Sequence, residues 1–146
     1  MKLELKHLAP YLPYELKIMQ YRDDLKLSFE SILISLSNNT LGVTSPRFPF
    51  NERIQYAEAK LILRPLSDLN KEIEVNGQKF IPINWVENKY PNLDLHNQCK
   101  FLLDDESWIN QCEYLLIQHL FEWHFDLYNL IKNNLAIDIN TINTIK

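Results

Sequence analysis

The chain has 146 residues, 46% hydrophobic and 23% charged, which excludes disorder over its length and supplies apolar material for one packed core. Two glycines, with no G-x-G-x-x-G, G-x-x-x-x-G-K-S/T or G-x-S-x-G, exclude phosphate-cradling loops and a nucleophile elbow. The net charge of −4 is split unevenly: nine basic and seven acidic side chains in residues 1–65, six and twelve in residues 66–146.

In chain order, residues 1–15 read as a short arm. Pro10 and Pro13 lack an amide donor and clash with the preceding turn, so no α-helix runs through them. Leu3, Leu5, Leu8 and Leu12 pack the arm down. Leu16–Arg22 and the stretch from Leu25 to Leu36 predict two strands joined at Asp23-Asp24, and Ser37-Asn38-Asn39 is a second turn. Leu41–Thr44 is a third short strand. Pro46 and Pro49 break regular pairing and make residues 45–51 a loop. Arg53–Leu63 fits strand or helix; Lys60–Leu63 is the strand, because Pro65 disfavours a helical Arg64.

Ser67 can cap a short helix over Asp68–Ile73. Glu74–Ile83 reads as a hairpin, since Asn76-Gly77 takes positive φ at both turn positions. Pro91 and several asparagines make residues 84–103 a loop or a broken helix. Trp108, Cys112, Leu116, Leu120, Trp123, Leu127 and Leu130 then recur at helical steps, with Asp104 or Asp105 as the cap and Asn133-Asn134 as the stop. Ala136–Ile145 alternates and reads as a strand or extended tail. Together these predict one α+β domain over residues 1–146. A small antiparallel sheet, residues 16–63, packs against a long C-terminal helix from about Ser107 to Asn133, with a short N-terminal arm.

No apolar run reaches the ~18 residues that span a bilayer. Lys2, Glu4 and Lys6 interrupt any signal-peptide core, so a cytoplasmic protein without membrane contact is expected. Cys99 and Cys112 are too few for a disulfide scaffold. His119, Glu122 and Asp126 share one row of a helix, but His119 and His124 lie about 140° apart around its axis and cannot share an ion. His119 reads as a hydrogen-bonded structural residue. Cys99 with His96 is a local proximity, not a positioned acid–base pair. The expectation is no enzyme, no cofactor and no metal.

Between Asp94 and Asp126 seven acids face one base, Lys100, the reverse of a nucleic-acid-binding stripe. Direct nucleic-acid binding is not expected; a host protein with a basic surface is. The candidate contact residues are Asp104, Asp105, Glu106, Glu113 and Glu122, with the loop residues Arg47, Phe48, Phe50 and Arg53 as a second candidate. Composition leaves the oligomeric state open.

Three stretches carry a family resemblance: Lys2–Tyr14 (KLELKHLAPYLPY), Ile62–Leu69 (ILRPLSDL) with Glu72–Pro82, and Leu120–Asp126 (LFEWHFD) with Leu135–Thr141. They resemble a family of small phage and prophage proteins of Bacteroidota, over about a third of the chain; residues 21–58 and 84–114 lie outside it. Relatives commonly carry Gly where Glu15 and Asn134 stand here; Asn134 keeps the backbone role of Gly, and Glu15 departs from the pattern. The resemblance implies a mobile-element setting and carries over no catalytic residue. It points to an inhibitor of a host CRISPR effector, the type VI-B RNA-guided RNase among them. The alternative is a phage accessory or assembly protein that binds itself or other phage proteins.

Overall fold

A computed structural model of the chain describes residues 1–22, 27–45 and 51–145. It divides into two units, Met1–Leu63 with Tyr128–Lys146, and Arg64–Leu127.

The first unit is built on a six-stranded sheet. Its strands are β1 (Lys17–Arg22), β2 (Leu27–Leu36), β3 (Thr40–Thr44), β4 (Glu52–Gln55), β5 (Ala59–Leu63) and, from the C-terminal end, β8 (Ala136–Asp138). Their order is β4-β3-β2-β1-β5-β8. The alternation seen in the sequence sets the faces: Ile18, Phe29, Leu33, Leu41, Val43 and Ile54 are buried on one side. The expected antiparallel sheet is mixed, because β8 joins β5 in parallel. The Ala136–Ile145 tail is three residues of strand and then α5 (Ile139–Ile145). Asp138 caps that helix, accepting the Asn140 amide at 2.9 Å.

The N-terminal arm is a short α-helix, α1 (Leu5–Leu8), that runs into a 3-10 helix over Ala9–Tyr14. Pro13 fits inside this tighter turn, where one proline costs less than in an α-helix interior. Leu3, Leu8 and Tyr11 are buried, and the 3-10 segment lies against β2. Glu15 then takes a left-handed conformation, φ +54°, and delivers Leu16 to β2, where its carbonyl accepts the Leu33 amide at 2.9 Å.

Polar groups are buried under this sheet as well. Gln20 is fully enclosed; its carbonyl accepts the Ser31 hydroxyl at 3.1 Å, and its amide donates to Glu52. β1 and β4 are three strand spacings apart, about 14 Å in a flat sheet, so a Gln–Glu contact requires the sheet to curl around this face.

The second unit contains a 3-10 turn (Leu66–Asn70), a hairpin of β6 (Ile73–Val75) and β7 (Gln78–Phe80), and three helices. These are α2 (Pro82–Lys89), α3 (Leu95–Asp104) and α4 (Tyr114–Glu122). The hairpin turns where expected, with Asn76 at φ +52° and Gly77 at +81°. Residues 84–103 form the broken helix: α2 stops before Tyr90, which precedes Pro91, and α3 restarts at Leu95. The expected Asp68–Ile73 helix is the shorter turn after Pro65. Ser67 does not cap it, and Ile73 joins β6.

The long helix over residues 107–133 is not present. The segment holds a 3-10 helix (Glu106–Gln111), α4, and a turn at 130–134. It is broken at two places. The Glu113 amide, which a continuous helix would give to residue 109, donates instead to the Gln98 side chain of α3 at 2.7 Å. At the other end His124 adopts φ +64°, and the His124 and Phe125 amides return to the Phe121 and Leu120 carbonyls at 3.0 and 2.9 Å. That is a Schellman stop, closed by the apolar pair Leu120 and Phe125, both fully buried. Leu116, Leu120 and Trp123 are buried in this unit's own core with Val86, Leu95 and Leu102. Leu130 is buried in the first unit. The apolar stripe is real but serves two units.

Candidate interaction surface

The expected acidic residues are all exposed and all in the second unit. Asp104 ends α3. Asp105 caps the following 3-10 helix, its Oδ1 accepting the Ser107 amide at 3.0 Å. The hydrogen bonds from Ser107 hold the Asp105 carboxyl below the usual carboxylate range. Glu106 opens that 3-10 helix, and Glu113 precedes α4 with its amide tied to Gln98. Glu122 ends α4, about 13 Å of helix rise from Glu113. So Asp104, Asp105 and Glu106 share the end of α3, Glu113 is tied to the same helix, and Glu122 is at the far end of α4.

Three aromatics stand among these acids. Phe101 and Trp108 stack at 4.9 Å between ring centres and 24° between planes, yet remain 43% and 38% exposed. Tyr114, beside Glu113, is 74% exposed. Sequence reasoning placed Trp108 on the core stripe and passed over the other two. A signal was there: Leu95, Cys99 and Leu102 form the buried stripe of α3, which leaves Phe101 off that face.

The second candidate set is divided. Arg47, Phe48 and Phe50 lie outside the described residues. Arg53 is exposed on β4 and reaches across Gly42, donating to the Thr40 and Ser35 hydroxyls at 3.0 and 3.4 Å. A Cβ at Gly42 would stand 2.1 Å from the Ser35 hydroxyl, so this crossing uses the glycine.

His119 is enclosed. Its Nε2 lies 2.9 Å from the Tyr90 hydroxyl, its ring stacks on Trp123 at 5.2 Å, and Trp85 meets it edge-on at 4.9 Å. Glu122 lies 3.3 Å from Nδ1 without hydrogen-bond alignment, an ion pair when the ring is protonated. Asp126 leaves the expected row because α4 ends at Glu122; its amide bonds to the Arg64 carbonyl at 2.8 Å. Among the described residues no three His, Cys, Asp or Glu side chains are grouped to hold an ion. Burial pushes the Cys99 thiol up to about 12 and raises Cys112, the opposite of an activated nucleophile. His96 faces Glu87 at 3.2 Å. Among the described residues no helix is long and apolar enough to cross a membrane.

No family model, no curated protein and no solved structure matches this chain.

Proposed function

We propose that the chain is a non-enzymatic binding protein that docks on a basic protein surface through Phe101, Trp108 and Tyr114 and the carboxylates of Asp104, Asp105, Glu106 and Glu113. One observation carries this reading: a stacked aromatic pair left in water beside carboxylates. Exposed Trp and Tyr are the side chains that dominate binding energy at protein interfaces, and rim carboxylates steer a cationic partner. The resemblance of the chain's motifs to phage proteins extends the proposal to an inhibitor of a host RNA-guided CRISPR nuclease, whose guide-RNA surfaces are basic.

Capture from a host lysate on immobilised protein tests it. The expected catch is a CRISPR ribonucleoprotein, lost when Asp105 and Glu106 are both replaced by Lys. A catch of phage proteins or of the chain itself, unaffected by that replacement, overturns the reading in favour of an assembly or accessory role.

A further inference from the structure

Resting on the docking face proposed above, we infer that Phe101 and Trp108, with Asp104, Asp105 and Glu106, form a receptor for arginine side chains of the partner. Stacking the two rings on each other normally hides apolar surface, yet both stay about two-fifths exposed. A flat π surface in water attracts a flat cation, because its quadrupole is negative at the ring face. The carboxylates lie within a few residues of both rings, at the end of α3 and the start of the 3-10 helix.

Guanidinium fits this chemistry better than ammonium does. It is planar, weakly hydrated and able to stack on a ring while its edge hydrogen-bonds a carboxylate in two places. An ammonium is a hydrated point charge that gains from the acids but little from the rings. Nucleobases also stack on exposed aromatics, but their phosphates would meet Asp104, Asp105 and Glu106 instead of Lys or Arg. The hydrogen bonds from Ser107 keep the Asp105 carboxylate ionised to lower pH than an ordinary carboxylate.

The test uses the full chain and two capped peptides of about eight residues with equal charge, one alternating Gly and Arg, the other Gly and Lys. The readout is the indole N–H resonance of Trp108, assigned with Trp108→Phe. The Arg peptide is expected to shift that resonance and to bind about fivefold tighter than the Lys peptide. Phe101→Leu, read at the same resonance, and Trp108→Ala, read by titration calorimetry, should remove the difference between the peptides while leaving the weaker charge-driven binding. Equal affinity of the wild-type chain for the two peptides overturns the arginine inference; the docking face itself survives that result if Asp105→Lys with Glu106→Lys still abolishes partner capture. A Trp108 shift produced by a single-stranded RNA oligonucleotide and not by the Arg peptide overturns it in favour of base stacking. Partner capture that survives the double charge reversal refutes the underlying docking face instead.

Discussion

Replacing His124 with glycine and, separately, with alanine tests where the helix ends. At φ +64° a side chain with a Cβ pays about 1–2 kcal/mol for left-handed backbone. Glycine escapes that cost but loses about 0.5–1 kcal/mol more chain entropy on folding. His124→Gly should therefore be more stable than His124→Ala by about 0.5–1 kcal/mol. Both variants lose the same imidazole contacts, so those cancel in the difference. A continuous helix through residue 124 makes the opposite demand, with alanine favoured over glycine by about 1 kcal/mol. The two structures thus differ in sign and by about 1.5–2 kcal/mol in size, well outside the error of paired urea titrations. Midpoints for the two variants at equal m-value give the answer. An alanine variant more stable than the glycine variant would refute the Schellman stop and restore the long helix.

Glu15→Gly should stabilise the chain by up to about 1 kcal/mol by the same reasoning, since Glu15 sits at φ +54°; a loss of stability on urea titration would show that its side chain does more than close the turn. His7 should titrate below the ordinary histidine range, because burial and the Lys6 charge lower its pKa against a smaller opposing pull from Glu4, and its Nδ1 accepts the Glu4 amide at 3.0 Å. The unfolded chain then binds more protons, so stability should fall as pH drops through the ordinary histidine pKa towards the folded one. A His7→Gln variant whose stability keeps the wild-type slope between pH 7 and 5 would contradict this. Reversing Asp105 and Glu106 to Lys should slow partner association more than it speeds dissociation, and the wild-type rate should fall with added salt, as stopped-flow mixing over a salt series would show.

Local rules made much of the secondary structure legible. Alternation located β1 and β2, Pro65 located the end of β5, and Asn76-Gly77 located the hairpin, because each depends on a few neighbouring residues. The long helix was misread because a 3.6-residue stripe reports which face is apolar, not whether the backbone is continuous across it. The breaks come from a Gln98 side chain fifteen residues away and from a histidine, not a glycine, in the left-handed region. The parallel pairing of β8 with β5 is equally non-local, joining Leu61 to Ala136. For the candidate surface, charge alone picked out the acids at the end of α3. The aromatics escaped notice because Trp108 fits the stripe arithmetic until the helix boundaries are known.

The buried Gln20 amide has a consequence for how the sheet assembles. Side chains alternate faces along a strand, so sliding β4 by one residue would carry Glu52 to the outer surface. Gln20 would then keep Ser31 but lose its acceptor on β4, and an orphaned buried amide costs about 1–3 kcal/mol. A slip of two residues would keep Ile54 on the buried face yet carry Glu52 about 7 Å along the strand, so the Gln20–Glu52 contact fixes one alignment. A buried glutamine bonded to a half-buried glutamate thus acts as a register lock. It fastens the short edge strand to the middle of the sheet and penalises misaligned strands once the core closes over Gln20.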